Sequence, residues 1–358
     1  VAIGGDALKA NTTAANNTAV GKAALQANTT GASNTAVGYN ALDANTTGGA
    51  NVALGYGALS ANTTASNNTA IGVNAMEANT TGHSNVVVGQ GAMDVSTTAS
   101  RSTVVGFNAG DAMTTGGDNA IFGYEAGGSM TTAIENTYIG YYAGNLNTTT
   151  NYNTGVGSGA LQRHTTGTRN TAVGARSLDA ATTSSDNTAM GYDALGVQTT
   201  GTENVAVGSY ALDATDDGAS NTAVGYKALS ANCSDSNTGI GRQAGLLCTG
   251  SNNTFLGKDA GSVVSSGSNN MLLGKDAGLS GSPGGQIGTE SNYLTLADEN
   301  ITHAYVQVDW TIASDQRDKT DFTALDLGLD FVKDLKPVTY KWDKRSKYGD
   351  KTADDYDL

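Results

Sequence analysis

The sequence predicts an all-β protein, a parallel β-roll or β-solenoid of seventeen coils of 16–17 residues, followed by a small α+β segment at the C-terminus. Three observations carry this reading. Glycine supplies 48 of 358 residues while Pro and Cys supply 2 each. A Val-Gly or Ile-Gly pair returns at a fixed interval. The residues around that pair return with it.

Composition removes the competing explanations of so much glycine. Collagen needs Gly at every third position and abundant Pro. Disorder is marked by a high charge fraction, and only 15% of these residues are charged. A pI near 4.4 and a net charge of −14 argue against nucleic-acid binding, which calls for a basic patch. No apolar run approaches the roughly 20 residues of a membrane helix, and two cysteines make no disulfide framework. With few Phe and Trp, the apolar content is mainly Ala, Val and Leu. Such a chain fills a narrow core repeated along an axis rather than a thick globular one.

The anchor glycines run from Gly4, Gly21, Gly38 and Gly55 to Gly225 in steps of 17, then to Gly241, Gly257 and Gly274 in steps of 16, 16 and 17. Val1 falls inside a unit, so further sequence is expected upstream. The residue before each anchor is apolar in all seventeen units, from Ile3, Val20 and Val37 to Leu273, and is expected to point inward. Ala follows three residues after the anchor, with Ser177 the exception, and then usually Leu or Met. Seventeen residues are too few for two packed helices, and β-branched residues alternating with small ones suit strands. Each unit is therefore read as one coil of two short strands and two turns. The anchor Gly and the Thr-Thr-Gly segment form the corners, where a positive φ or close backbone approach is needed. Asn stands four residues before the anchor, as in Asn17, Asn34, Asn51 and Asn68, interrupted at Ser102. Stacked coils would align these side chains as a structural amide ladder. At about 4.8 Å per coil, the rod would be roughly 80 Å long.

The repeat Asn34-Thr35-Ala36-Val37-Gly38 and its copies resemble the head of YadA-like trimeric adhesins. That resemblance implies a left-handed roll with three chains side by side. The pattern agrees, because a coil lined by Val, Ala and Leu on two faces buries one and needs a partner for the other. The unit of 17 is longer than the family's.

After Ser282-Pro283-Gly284-Gly285 the repeat stops, and residues 301–358 hold 21 charged side chains in 58 together with both Trp residues. The expected division is a shaft over 1–282, a β-rich connector over 283–313 and a further module over 314–358. Apolar alternation through Tyr293, Leu294 and Leu296, then Tyr305 to Ile312, predicts strands. Phe322, Leu325, Leu329, Val332 and Leu335 fall at helical spacing, ending before Pro337. Val338, Tyr340 and Trp342 mark a strand face. Taken alone, the Ser314-Asp315 pair ahead of that helix reads as an ordinary turn or cap.

Ser314-Asp315-Gln316-Arg317-Asp318-Lys319-Thr320-Asp321, with Gly328-Leu329-Asp330-Phe331-Val332 and Leu335-Lys336-Pro337-Val338, resembles the start of the peptidase S74 intramolecular chaperone of phage tail spikes and fibres. The resemblance implies a domain that templates trimerisation and then cleaves itself off. It assigns Ser314 as nucleophile, Lys319 as general base and the Ser314-Asp315 bond as the one cut, once per chain. The family domain is longer, so the segment is expected to be its N-terminal part. The chemistry requires a neutral Lys319 amine, held down by burial or a neighbouring cation such as Arg317; Asp318 and Asp321 would oppose it.

The resemblances together imply a homotrimeric tail fibre shaft in the virion tail, attaching it to a host surface receptor, a glycan or outer-membrane component, alongside other tail proteins. The alternative is the head of a bacterial trimeric autotransporter adhesin, whose membrane-strand ending the charged tail at Asp350–Leu358 does not resemble. No cofactor, metal or nucleic acid is expected. His83, His164 and His303 share no ligand spacing, and Cys233 and Cys248, in successive coils at slightly different offsets, are read as a pair of free thiols for which a bridge is geometrically conceivable. Tyr138, Tyr141, Tyr142 and Tyr152 are read as a local aromatic cluster suited to packing, trimer contacts or sugar stacking. Recurrent Thr-Thr pairs raise ice binding, but only one Thr per coil can join an outer row. The Asn-Thr-Thr glycosylation pattern follows from the repeat.

Overall fold

A computed structural model describes residues 1–303, which form one compact unit. The expected strand over 305–312, the helix over 322–335, the strand at 338–342 and the residues Ser314, Asp315 and Lys319 lie outside the described residues. The chain winds into a parallel β-solenoid with one short strand per coil. These strands, from Ala2–Ile3 and Thr18–Val20 to Met271–Leu273, stack in sequence order, each parallel to the next. Register is constant at the repeat length: Thr35 pairs with Val52, Ala36 with Ala53 and Val37 with Leu54.

Two expectations are corrected. The coil has one strand, not two. The side opposite the strand is a run of tight turns in which Asn40 and Leu42 take φ of 54° and 53°. The Asn45 N–H donates to the Leu42 carbonyl at 3.2 Å, while the Leu42 N–H donates to the Ala58 carbonyl of the next coil at 3.0 Å. Coil-to-coil bonding therefore continues around the turns, and the left-handed residues, costing of order 1 kcal/mol each, are held by it.

The second correction concerns direction. The inward strand residue is the one two positions before the anchor: Ala19, Ala36, Ala53 and Ala70 are fully buried, whereas Val37 and its row face outward. The reason is width. A coil of 17 residues leaves room for one small side chain facing one larger one, so Ala36 is paired with Leu42 six positions on. Where the strand residue grows, the partner usually shrinks to Gly: Val104 with Gly110, Ile121 with Gly127, Tyr138 with Gly144, Phe255 with Gly261, Leu272 with Gly278, with Val87 opposite Met93 the exception. A Cβ at Gly144 would stand 2.6 Å from the Tyr138 ring. Where both positions are Gly, at Gly239 and Gly245, Leu229 and Phe255 from neighbouring coils occupy the space. Interior volume is thus conserved along the rod while its composition changes.

Each anchor glycine meets two constraints. Gly38 has φ of +143°, and a Cβ there would lie 2.2 Å from the Gly55 carbonyl oxygen of the next coil. The second corner is less strict: Gly31 and Gly48 alternate along the column with Ala65, Ala99, Ala133, Thr150 and Ser184.

The Asn row is a buried ladder. The Asn51 N–H donates to Asn34 Oδ1 at 2.9 Å, and the Asn34 amide donates to the Gly48 carbonyl at 2.8 Å. Ser102 continues it with a hydroxyl that accepts from the Asn119 N–H at 3.2 Å. A second ladder, not anticipated, runs beside it through Asn11, Asn28, Asn45, Asn62 and Asn79, each amide donating to the Oδ1 one coil back at 2.8–3.0 Å. Both ladders converge on the same corner carbonyl, Gly48 accepting from Asn34 and from Asn45 at 3.0 Å. These are the Asn of the Asn-Thr-Thr triplets, and Asn28, Asn45, Asn62 and Asn79 are fully buried and closed to glycan attachment in the fold. The second ladder then gives way to Ser96, Met113 and Met130.

Past Leu273 the winding does not stop at residue 282. A strand at Leu294–Leu296 adds in parallel to Met271–Leu273 after a longer turn, with Ile287 buried within it and Tyr293 N–H donating to Asn270 Oδ1 at 2.9 Å across 23 residues. Leu294 and Leu296 face outward and Thr295 inward, the same inversion as in the Val37 row.

Replacing Gly38 with Ala combines strain at positive φ with a backbone clash and is expected to cost about 2–5 kcal/mol, read as a lowered denaturation midpoint. A midpoint unchanged from wild type would contradict the close stacking. His164 is fully buried, its Nε2 3.0 Å from Asn170 Nδ2, and burial pushes the imidazole down to about 4. The unfolded chain, titrating near about 6.5, takes up the proton first, so this stability is complete above about pH 6.5 and is lost as pH falls to about 4. The loss is roughly 3 kcal/mol. His164→Gln, matching Gln198 two coils on, should remove that part of the acid sensitivity. Equal pH slopes for variant and wild type would count against it.

Candidate functional site along the strand face

Over the described residues the solenoid carries open surface grooves, such as the one lined by Asp276, Ser280, Asp298 and Glu299. Its distinctive surface is the outer side of the strands, set by the two-residue alternation of β structure. With Ala36 inward, Thr35 and Val37 must face out. In the Val37 row, Val20, Ile71, Val88, Val105, Val173 and Val224 are half-buried, and Leu54, Phe122, Ile139, Met190, Ile240 and Leu256 are exposed, Leu54 by 45% and Leu256 by 48%. Every coil contributes, so the row is an apolar stripe as long as the rod. Beside it the second outward position adds Val52, Val86, Val205 and Met271. A single exposed Leu needs no explanation, but a continuous apolar stripe marks an interaction face.

The residue after the anchor extends the stripe with aromatic rings. Tyr39 and Tyr56 stack at 5.3 Å between centroids and 9° between planes. Phe107, Tyr124 and Tyr141 form a three-ring stack at 5.3 and 5.5 Å, closed edge-on by Tyr142 at 4.3 Å from Tyr141. Ring spacing follows coil spacing, so a repeat that places one ring per coil makes a stack without further design. Lys22 lies 5.7 Å over Tyr39, and Lys227 lies 5.7 Å over both Tyr210 and Tyr226. The sequence held this signal, because Tyr39, Tyr56, Phe107, Tyr124, Tyr141, Tyr192 and Tyr226 all follow an anchor directly.

The tyrosine cluster read from the sequence divides. Tyr141, Tyr142 and Tyr152 are on the surface, but Tyr138 is inside the coil, its hydroxyl bonded to Asn147 and its ring over Gly144. Burial raises its phenol far above the ordinary range. Elsewhere the surface carries coil-to-coil ion pairs, such as Arg101 with Asp118 at 2.7 Å and Arg169 with Asp186 at 2.6 Å. Each Arg pulls its partner carboxyl below the usual range, though exposed pairs add little stability. The first Thr of each pair spends its hydroxyl on the next coil, as in Thr29 to the Thr46 carbonyl at 3.0 Å. Only the second, the Thr30 row, stands free at the surface, a single row in a turn rather than a flat two-row sheet.

Asn34, Asn51, Gly38 and Gly55 thus lie in the backbone scaffold and Val37 on the outward stripe. Ser314 and Lys319, with the Ser314-Asp315 bond, fall outside the described residues, and the structure neither brings them together nor separates them.

No curated protein shows a match to the chain. Residues 314–356 match the model of the peptidase S74 family, described as the chaperone of endosialidase. A parallel β-solenoid with that segment following it fits a tail fibre with a C-terminal chaperone domain.

Proposed function

We propose that the chain is the shaft of a homotrimeric tail fibre, assembled by the segment that follows it. The observation that carries this reading is the outward apolar stripe, contributed by every coil of a rod that precedes a chaperone-of-endosialidase match. A stripe of fixed period and full rod length is best covered by another rod of the same period. Copies of this chain meet that condition. The number three comes from the resemblance of both modules to trimeric families. Within the trimer the polar corners face water, and the strand faces meet.

Assembly of such a rod poses a problem of register. Each coil is nearly identical to its neighbours, so three chains sliding by one coil lose few contacts. A chaperone that gathers three C-termini before winding begins would fix the register once for all coils. In this reading the segment from Ser314 supplies that nucleus and is then released. Ser314 Oγ adds to the carbonyl carbon of the Ser314-Asp315 peptide while Lys319, as a neutral amine, takes the hydroxyl proton and passes it to the Asp315 nitrogen as the C–N bond breaks. Water then hydrolyses the strained ester so formed, restoring the Ser314 hydroxyl and leaving a free carboxylate. The reaction happens once per chain, so the protein is not a turnover enzyme. The mature shaft would sit in the virion tail and present itself, or a tip carried on it, to a glycan or outer-membrane component of the host, in company with other tail proteins.

Full-length precursor carrying the complete chaperone, expressed as wild type and as Ser314→Ala, tests the release step on a denaturing gel. Wild type is expected as two bands and the variant as one full-length band. Equal full-length bands from both would refute the cleavage assignment.

A further inference from the structure

Cys233 and Cys248 stand at different distances from their anchors, eight residues after Gly225 and seven after Gly241. Unequal offsets would ordinarily send two side chains to different faces of the coil. Both are nevertheless inside, 1% and 0% exposed. The cause is the shortened coil between Gly225 and Gly241. There the Cys233 N–H donates to the Ala231 carbonyl at 2.8 Å, a tight turn that throws Asn232 outward, where its Oδ1 accepts from the Asp216 N–H at 3.1 Å. Cys233 takes the inward place that Thr215 holds one coil earlier, and its Sγ lies 3.3 Å from Thr215 Oγ1.

The next coil supplies Cys248 at the same level. Ala231 N–H donates to the Leu246 carbonyl at 3.1 Å and Ser234 N–H to the Thr249 carbonyl at 3.3 Å, so the two cysteines are bracketed on both sides by coil-to-coil hydrogen bonds. Adjacent coils run about 4.8 Å apart, inside the roughly 4.4–6.8 Å Cα separation that a disulfide spans. Both thiols are free. Cys248 is oriented by the Asn253 amide, which donates to its Sγ at 3.4 Å. No other cysteine exists in the chain, so these two have only each other as internal partners.

We propose that Cys233 and Cys248 form a coil-to-coil disulfide site, closed by exchange with a low-molecular-weight disulfide while the coils wind. One cysteine thiolate attacks a sulfur of the small disulfide, forming a mixed disulfide and releasing one small thiol. The other cysteine thiolate then attacks the protein sulfur of the mixed disulfide and releases the second small thiol. Two cysteine thiols are oxidised by two electrons, the small disulfide is reduced by two, and the two thiol protons end on the small thiols. The step belongs to winding rather than to the finished rod. Burial pushes the Cys233 thiol up to about 11 and the Cys248 thiol up to about 12, and a charge on Cys233 further disfavours one on Cys248. The closed coil therefore holds almost no thiolate and shields whichever state it was wound in. The bond would staple two coils beside the two 16-residue steps, where the repeat is irregular.

The test uses the full chain, unfolded under reducing conditions and refolded either with reduced glutathione alone or with a glutathione and glutathione disulfide mixture. Thiols are then alkylated in denaturant and the intact mass is measured. The expected result is two adducts after reducing refolding and none after oxidising refolding, with no covalently linked chains on a non-reducing gel and a higher melting midpoint for the oxidised form. The same thiol count on chain folded during expression in an oxidising compartment reads the site without a refolding step. Two alkylated cysteines in the oxidised samples, two retained glutathione adducts, or chains joined through cysteine would each overturn the proposal.

Discussion

At one point in every turn the backbone of each coil passes directly over the next, with the Cα of Gly38 over the carbonyl of Gly55 and the same contact repeated along the rod. Side chains are excluded there twice, by the space and by the sign of φ. This contact fixes the coil spacing, and the spacing determines the rest. It brings the strands into parallel register, places each Asn amide within bonding distance of the one before it, and sets the aromatic rings at stacking distance. It also makes the structure quasi-one-dimensional, because each coil is stabilised almost wholly by its two neighbours. Irregularities such as the 16-residue steps near the cysteines are absorbed locally.

Close stacking has a cost in width. A coil wound this tightly encloses two facing side chains of limited combined volume, and the chain meets that limit by pairing Ala with Leu or Met, and large strand residues with Gly. The buried amide ladders supply hydrogen bonds that a thicker apolar core would not need; unpaired buried polar atoms include Asn79 Oδ1 and Ser96 Oγ, where the second ladder ends, and His164 Nδ1 and Gln198 Oε1 further along the same column. What the interior cannot hold goes outside. The β-branched and aliphatic residues beside each anchor therefore form an exposed stripe, and a rod stabilised along its axis is left with one apolar face along its length. In the proposed trimer, association would follow from the geometry of winding rather than from a separate binding site.

The period, the anchor column, the parallel all-β architecture and the first amide ladder were legible in the sequence because each rests on identity at a fixed spacing. Direction was not. Val37 is more apolar than Ala36, and hydrophobicity alone turns it inward; the width of the coil, which no single unit reveals, turns it outward. The pairing of Tyr138 with Gly144 shows how the width could have been inferred, since a Gly appears where Leu is usual six residues after Val104, Ile121, Tyr138, Phe255 and Leu272. The second strand failed for a similar reason: the Ala-Leu segment is apolar enough for a strand, but alternating φ signs at Asn40 and Leu42 make it a chain of turns. The longer turn before Leu294 was obscured by its Pro-Gly-Gly insertion, which reads as an end to the repeat. Cys233 was misaligned with Cys248 by counting from the anchors, because the deletion lies at the corner between them.

The central claim is that the outward stripe is buried between copies of this chain. The mass of the natively folded full chain in solution, measured by light scattering, tests it most directly. The account predicts a mass of three chains that does not fall on dilution. A mass of one chain would contradict it, because the stripe would then stand open to water along the whole rod.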